Sequence, residues 1–280
     1  MKLFGAHMPT GKGLGAAVRV GKSIGCTAVQ VFTSSPKMWS SKPITEEAIA
    51  ELAAALAESQ MGPVVSHDSY LINLCAPAPE TKAKSIEALA RELHRCGQLG
   101  IPYVVSHMGA HMGQGEEEGL RQVAAETKAI LADAPPGVTL LMETTAGQGS
   151  SLNWKFEHLS ELFSATGAPS NLGVCLDTCH IFAAGYDIRT QESYEATFEQ
   201  FNHLVGIGRL KVIHCNDSKK PLGSRVDRHD HLGEGEIGET AFRLLVSDPR
   251  FDGVPILVET PDAETMHAVN VGKLWSWVEA

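Results

Sequence analysis

Seven short apolar segments of the sequence end in a side chain that can bind a divalent metal ion. These side chains are His7, His67, His107, Glu143, Asp177, His214 and Glu259. Imidazole and carboxylate ligands without cysteine are typical of zinc in a hydrolytic site, or of manganese or iron, rather than of a structural zinc finger. Each residue alone could be an ordinary polar group at the end of a strand. Their repeated position after apolar segments instead predicts one shared metal site.

Two short motifs add further potential ligands. In DTCH, residues 177 to 180, a turn can present the acid and the histidine on the same side. In DRH, residues 227 to 229, the alternation of an extended chain points the acid and the histidine the same way. His180, Asp227 and His229 are therefore predicted to form a three-ligand site whose open positions take water or substrate. Histidines in helical segments are expected to be structural, and these are His94, His158, His203 and His267.

The segments that carry these residues are spaced like the strands of repeated βα units. Runs rich in Val, Ile and Leu recur at intervals of roughly 25 to 45 residues, separated by stretches with helical periodicity. Near-continuous apolar strands are typical of a parallel sheet covered by helices, and eight of them predict a closed (β/α)8 TIM barrel. The segments are residues 3–7, 28–32, 64–67, 103–107, 138–143, 173–177, 212–216 and 255–259. Barrel strands converge at their C-terminal face, which would bring the ligands together there as an active site.

The intervening segments fit the same architecture. Two of them have an apolar helical face and are expected to be crossover helices, with Ile49, Leu52 and Leu56 in one and Ile86, Leu89, Leu93 and Cys96 in the other. An open doubly wound sheet is the alternative topology, but no glycine-rich nucleotide-binding motif follows the first strand. No linker divides the chain, so residues 1–280 are expected to form a single domain. The long irregular stretch at residues 217–238 is expected to be a functional loop.

The composition limits the classes of function. With 43% hydrophobic and 20% charged residues, the 280-residue chain is typical of a soluble globular protein. It has neither the apolar stretch of a signal peptide nor a membrane-spanning segment, so we expect a cytoplasmic protein with no membrane partner. The six cysteines contain no C-x-x-C pair and are expected to be free, buried thiols. The net charge of −10 opposes binding of a polyanion unless positive charge is concentrated locally.

Five stretches of the sequence closely resemble endonuclease IV, the family of abasic-site DNA endonucleases. They are HDSYLINL (67 to 74), ETTAGQGSSL (143 to 152), GVCLDTCHIFAAGYDIRT (173 to 190), GSRVDRHDHLGEGEIG (223 to 238) and PILVET (255 to 260). The similarity runs from GAH at residues 5 to 7 to Glu259, about nine-tenths of the chain. Motifs of this length are specific, so the resemblance implies the fold, activity and cofactors of that family.

The resemblance implies a barrel whose mouth holds three divalent metals, most often Zn²⁺, with Mn²⁺ as an alternative at one or more sites. Carried over by position, the ligands would be His67, His107 and Glu143 for the first metal, Glu143, Asp177, His214 and Glu259 for the second, and His180, Asp227 and His229 for the third. Glu143 would bridge two metals and hold the attacking water. Glu259 could also orient this nucleophile, so Glu143 and Glu259 are the expected catalytic residues.

The resemblance also implies residues that contact DNA. Lys37, Tyr70 and Leu71 would enter the minor groove and let the base-less sugar turn out into the pocket. Arg225 and Arg228 lie in the loop beside the third group of ligands and could contact backbone phosphates. The neighbouring Lys219 and Lys220 could act in the same way.

The chain departs from the family pattern at three positions that are not ligands. Lys37, Thr144 and Met108 stand where the family often has arginine, asparagine and proline. Lysine lacks the planar guanidinium that stacks against bases, so a wedging role of Lys37 depends on its charge and length alone.

The implied activity is hydrolysis of the phosphodiester 5′ to an abasic site in double-stranded DNA. The products would be a 3′ hydroxyl and a 5′ deoxyribose phosphate, with trimming of 3′ ends as an additional activity, and the expected oligomeric state is a monomer. A metal-dependent sugar isomerase on the same barrel is the alternative function. Such an enzyme needs two metals and has no evident use for His180, Asp227 and His229. A second alternative is a lesion-binding module without catalysis.

Overall fold

A computed structural model of the chain describes residues 2–278. Eight parallel strands close into a barrel, and they are β1 Leu3–His7, β2 Ala28–Val31, β3 Val64–His67, β4 Tyr103–Ser106, β5 Thr139–Glu143, β6 Leu172–Asp177, β7 Leu210–His214 and β10 Pro255–Val258. Their order around the barrel is β1-β10-β7-β6-β5-β4-β3-β2. Each lies within two residues of a predicted segment. The predicted (β/α)8 barrel is therefore confirmed, and the closed sheet rules out the open doubly wound alternative.

Nine helices follow or connect the strands of the described chain. They are α1 Leu14–Ser23, α2 Glu46–Ser59, α3 Pro79–Leu99, α4 Glu116–Ala132, α5 Phe156–Thr166, α6 Thr178–Ala184, α7 Gln191–Leu204, α8 Glu239–Ser247 and α9 Ala263–Val278. The predicted crossover helices correspond to α2 and α3, and Leu52, Leu89 and Leu93 on them are buried. Between residues 2 and 278, no helix combines the length and the apolar character needed to cross a membrane.

The barrel has an apolar layer inside it and a larger apolar core outside it. The inner layer consists of Ala28, Val65, Val105, Leu141, Cys175, Val212 and Leu257. On β1 the corresponding residue is Gly5, because a Cβ there would lie 1.7 Å from the carbonyl oxygen of Ala28. The outer core fills the space between strands and helices, as expected for a parallel sheet that is covered on its outer face. All six cysteines are free and buried, as predicted.

The long loop after β7 contains a small antiparallel pair that the sequence pattern did not predict. Its two strands are β8 Asp217–Ser218 and β9 His229–Asp230. Both carboxylate oxygens of Asp217 accept backbone N–H groups, from Ser218, Gly233, Gly235, Ile237 and Gly238. Gly235 is required at this point, because a Cβ there would lie 2.4 Å from the carbonyl oxygen of Ser218. A single buried acid therefore closes the loop that carries Asp227 and His229.

Candidate metal centre

A polar layer covers the inner apolar layer at the C-terminal ends of the strands. Side chains alternate along a strand, so the residue two positions beyond each inner residue faces the same interior. The polar layer consists of His7, Gln30, His67, His107, Glu143, Asp177, His214 and Glu259. Seven of these are the predicted strand-end residues. The structure therefore brings all seven to one face of the barrel.

The first group of candidate ligands surrounds one oxygen of Glu143. Nε2 of His67 lies 3.1 Å from Oε2 of Glu143, and Nε2 of His107 lies 3.0 Å from the same oxygen. The three side chains offer ligand atoms that all lie within 4.8 Å of one another. His67 and Glu143 are buried, whereas His107 is partly open to solvent. This group is the predicted first site.

The second group surrounds the other oxygen of Glu143. Nδ1 of His214 lies 2.9 Å from Oε1 of Glu143 and 3.1 Å from Oε2 of Glu259. Asp177 completes the group, with Oδ2 4.0 Å from the same nitrogen. Because the two oxygens of Glu143 face different groups, its carboxylate has the geometry of a bridge between two neighbouring sites.

The third group lies between α6 and the loop that Asp217 closes. Nε2 of His180 lies 3.2 Å from Oδ2 of Asp227, and Nε2 of His229 lies 3.4 Å from Oδ1 of Asp227. Asp177 caps α6 by accepting the N–H of His180 at 2.9 Å, and its Oδ2 is 3.6 Å from Nε2 of His229. The predicted motif spacing therefore does bring His180, Asp227 and His229 together, next to the second group.

The ring nitrogens of the histidines that do not face the site lie against backbone carbonyls. Nδ1 of His67, His180 and His229 lies 3.0, 2.8 and 3.3 Å from the carbonyl oxygens of Asp68, Thr144 and Glu259. Such contacts fix the tautomer of a metal-binding histidine and leave the opposite nitrogen free to bind the ion. The three rings are therefore held in the orientation that a metal site requires.

Two observations test whether these residues suit divalent cations. Nε2 of His180 and Nε2 of His229 are buried, and although the oxygens of Asp227 lie close to them, neither nitrogen has a hydrogen bond of acceptable geometry among the described residues. The ion-pair partners of the fully buried Glu143 are all histidines, so no lysine or arginine in residues 2–278 neutralises it. Buried unpaired nitrogens beside buried carboxylates are costly unless a cation completes them. The donor set therefore fits divalent metals.

The charges in the site shift the pKa values of its members. Burial would raise the pKa of Glu143, but the neighbouring His107 and His214 outweigh burial and hold its pKa well below the usual value. Burial would lower the pKa of His180, but Asp177 and Asp227 instead raise its pKa well above the usual value. Burial also opposes ionisation of Asp227, yet its pKa falls to about 2, chiefly because of His180. Glu143 and Asp227 are thus ionised at neutral pH.

A cavity of about 370 Å³ opens above the three groups. Residues other than the candidate ligands also line it, namely His7, Phe32, Tyr70, Thr260, Ala263 and His267. His267 is buried on α9, with Nε2 3.2 Å from the carbonyl oxygen of Thr260 and Nδ1 without a partner in the described chain. His267 thus lies buried in a helix, where a structural role was expected, and its side chain also borders the cavity. By contrast, His94 and His203 are exposed on helices, and His158 is buried beside Glu116.

The residues predicted to contact DNA differ in their exposure to solvent and in their contacts. Tyr70 is 65% exposed beside the site, and its ring centroid is 6.0 Å from that of His67. Lys37 and Arg228 are exposed, and Leu71 is partly buried. Arg225 is also exposed, but its guanidinium lies 3.7 Å from the ring centroid of Trp154. An intramolecular cation–π contact thus holds Arg225, which the sequence pattern did not reveal.

The two other departures from the family pattern have structural consequences. Thr144 accepts the N–H of Asp177 through Oγ1 at 2.9 Å, and its carbonyl oxygen contacts His180. Met108 has a φ of 66° and donates its N–H to Oγ of Ser106. Proline has no N–H and cannot adopt a positive φ, so the loop after β4 in this chain excludes it.

The sequence pattern missed Gln30, although it lies in the polar layer. An amide is not a usual ligand for transition metals, so Gln30 did not stand out with the histidines and acids. The available signal was a single polar residue inside the apolar run AVQVF. The alternation of the strand places that residue on the same side as Ala28 of the inner layer.

Residues 18–276 match the family described as xylose isomerase-like TIM barrels. A probable endonuclease 4 from Chloroflexus aggregans is 52% identical over 267 residues, which cover 95% of this chain and 93% of that protein. The solved endonuclease IV from Thermus thermophilus is 35% identical, with a TM-score of 0.88 and 99% of both chains covered. A D-tagatose 3-epimerase-like protein has a TM-score of 0.73 over 99% of this chain and 97% of its own, but at 18% identity it shares the fold alone.

Proposed function

The chain belongs to the endonuclease 4 family of xylose isomerase-like TIM barrels, and we propose that it hydrolyses the phosphodiester 5′ to an abasic site in double-stranded DNA. The products would be a 3′ hydroxyl and a 5′ deoxyribose phosphate. The same site would trim blocked 3′ ends, because the bond attacked is of the same chemical type. The enzyme would act in DNA repair with three divalent metals, most often zinc.

One observation carries this proposal beyond the family assignment. Three groups of candidate ligands share members or lie side by side, with Glu143 facing two of them and Asp177 facing two of them. A sugar isomerase on this barrel would need the first two groups only. The third group, made of His180, Asp227 and His229, favours a phosphodiester, whose attacking oxygen, phosphate and leaving oxygen can each face a separate cation.

The residues of the chain have distinct roles in this reaction. When bound, divalent ions lower the pKa of water, neutralise phosphate charge and stabilise a departing alkoxide. Glu143 would hold the attacking water between the first two groups, because its ionised carboxylate only accepts hydrogen bonds. Glu259, which lies beside Glu143 at Nδ1 of His214, would help to orient this water. His180, Asp227 and His229 would lie toward the leaving 3′ oxygen.

DNA would approach the mouth of the barrel in spite of the net charge of −10. Three divalent ions would offset six of the ten excess negative charges and concentrate positive potential at the cavity. Tyr70, Leu71 and Lys37 would contact the minor groove beside the lesion, and Arg228 would contact a backbone phosphate. The cavity of about 370 Å³ would receive the base-less sugar.

The proposal is tested with a labelled duplex that contains one defined abasic site. We expect cleavage on the 5′ side, loss of cleavage after treatment with a chelator, and recovery on addition of Zn²⁺. Glu143→Gln keeps the shape of the side chain but removes the bridging charge, so it should abolish cleavage while abasic DNA still binds. Glu161→Gln, on the exposed face of α5, is the matched control and should cleave like wild type.

Two results would contradict the proposal. One is cleavage by Glu143→Gln within tenfold of the wild-type rate. The other is a zinc-loaded wild-type protein that leaves the abasic duplex intact but isomerises or epimerises sugars, which would establish the alternative function.

A further inference from the structure

Gln30 occupies the centre of the polar layer without belonging to any group of candidate ligands. It is fully buried on β2, and its side-chain amide contacts His7 on β1, His214 on β7 and Glu259 after β10. We propose that Gln30 is a positioning residue, which fixes the tautomer of His214 and the direction of Glu259 so that both can bind the second metal. This inference rests on the metal-dependent function proposed above.

The partners of the amide decide which way it points. The ionised carboxylate of Glu259 can only accept hydrogen bonds, so the amide nitrogen of Gln30 must be the atom that faces it, at 2.5 Å from Oε1. The second N–H of the amide then points to Nδ1 of His7, at 2.9 Å. The carbonyl oxygen of Gln30 is left to face Nε2 of His214, at 2.7 Å.

This orientation determines the state of the His214 ring. An amide oxygen can only accept, so Nε2 of His214 must carry the proton that it donates to Gln30. In the neutral ring Nδ1 then has the free lone pair, and Nδ1 faces Glu143 and Glu259 at 2.9 and 3.1 Å. The hydrogen bond to Gln30 thus directs the ligand nitrogen of His214 toward the other ligands of the second group.

His214 differs from three other candidate ligands in what holds its ring. Backbone carbonyls contact the outer nitrogens of His67, His180 and His229, and no substitution of a side chain removes them directly. For His214 this contact comes from a side chain on the strand across the barrel. The orientation of this ligand can therefore be altered by mutation without changing any ligand.

The direct test observes the His214 ring in the zinc-loaded protein. With ¹⁵N-labelled histidine, the Nε2 proton of His214 should give a slowly exchanging downfield NMR signal, because the proton is buried and hydrogen-bonded. Gln30→Met has a similar length but only a weak acceptor in its thioether sulfur, so this signal should shift upfield and exchange faster. Gln30→Glu keeps an acceptor opposite Nε2 and should keep the signal, although it loses the N–H group that faces Glu259.

The second readout is zinc affinity, measured by competition with a chelator. Loss of an outer hydrogen-bond partner typically weakens metal binding by about 10- to 100-fold. We expect this loss in Gln30→Met for one ion, with the affinity for the remaining ions unchanged. In a His214→Ala background, Gln30→Met should cause no further loss at that site, because its effect acts through His214. A general packing defect would weaken the binding of all the ions, and its effect on affinity would add to that of His214→Ala.

The outcomes separate this inference from the proposed function. A wild-type protein that binds no zinc would contradict both. A zinc-binding wild type together with an unchanged His214 signal and unchanged affinities in Gln30→Met would overturn the role of Gln30 alone. If Gln30→Met does not fold, Gln30→Glu decides, since absence of the Nε2 proton signal in that folded variant would also overturn the inference.

Discussion

Individual side chains in this protein take their properties from their neighbours. Glu143 is an acid inside a barrel, where burial alone would raise its pKa. The surrounding histidines reverse this preference and hold the pKa of Glu143 well below its usual value. His180 shows the opposite case, because Asp177 and Asp227 raise its pKa in spite of burial. The histidines thus favour the ionised form of Glu143, and the acids favour the protonated form of His180.

The third group of ligands gives a sharp test with single residues. His229→Ala and Asp227→Ala should each lower bound metal from about three to about two ions per chain, because each removes a ligand of the same ion. Loss of that ion should slow kcat on the order of 10²-fold, about 2.7 kcal/mol, which is the loss caused by removing one oxyanion-hole donor. Elemental analysis and single-turnover cleavage of an abasic duplex measure both effects.

The double variant and a neighbouring control complete this test. Since the residues act as one unit, the double variant should be scarcely slower than either single variant. Arg228→Ala changes the exposed residue between them and should keep all the metal. The slope of the logarithm of the DNA-binding constant against the logarithm of the salt concentration should become smaller by about one, because one phosphate contact is lost. Metal content near three in both single variants, or effects that multiply in the double variant, would show that the residues share no ion.

The elements of the fold divide the work of building the site. The strands supply the first two groups directly, because their C-terminal ends meet at one face. The third group depends on α6, which presents His180, and on the loop around β8 and β9, which carries Asp227 and His229. The carboxylate of Asp217 joins the two ends of this loop through hydrogen bonds to backbone N–H groups.

Asp217→Asn should therefore open this loop without disturbing the barrel. Asparagine has the same shape, but its NH₂ group would face backbone N–H groups in either orientation of the amide. Each buried N–H left without an acceptor costs roughly 1–3 kcal/mol. Hydrogen exchange at residues 233 to 238 should become faster, and about one metal ion should be lost. The measurement is exchange detected by mass spectrometry together with elemental analysis.

The matched control for this loop is Asp230→Asn on β9. Asp230 is partly exposed and accepts a single N–H, from His231. Exchange and metal content in Asp230→Asn should remain close to wild type. If Asp217→Asn also exchanges like wild type, the carboxylate does not hold the loop closed.

The whole molecule brings together acids that no lysine or arginine among residues 2–278 neutralises. Four candidate ligands are acids, and they converge at one mouth of a protein with a net charge of −10. Bound cations should therefore stabilise the native barrel as well as catalyse a reaction. An ion present at 100 times its dissociation constant stabilises the folded state by about 2.7 kcal/mol.

Removal of metal should accordingly lower the melting temperature of the protein. For a chain of this size, 1 kcal/mol corresponds to roughly 2–4 °C, so losing one such ion should lower Tm by about 5–10 °C. Calorimetry before and after chelation measures this shift, and Zn²⁺ should restore the original Tm. Glu143→Gln is the control and should respond less to the chelator. An identical Tm with and without metal would contradict a stabilising cluster.

The sequence by itself determined the strand segments, the closed barrel and the candidate ligands. Apolar runs with a polar end are local features, and the parallel barrel converts their common position into proximity. The resemblance to a known family then assigned the ligands to three groups. Local pattern marked Gln30 only as a polar residue in an apolar run, because its importance lies in three partners on or next to other strands, with the contact to His214 reaching across the barrel.

Only the tertiary structure decided how the side chains are held. The contact of Arg225 with Trp154, the position of His267 at the cavity and the closure of the loop by Asp217 each join residues from separate segments. The orientation of His214 likewise depends on a hydrogen bond between β2 and β7. Sequence pattern records the type of a residue and its local periodicity. Hydrogen-bond direction and burial arise when distant segments pack together, and they fix which nitrogen or oxygen faces the site.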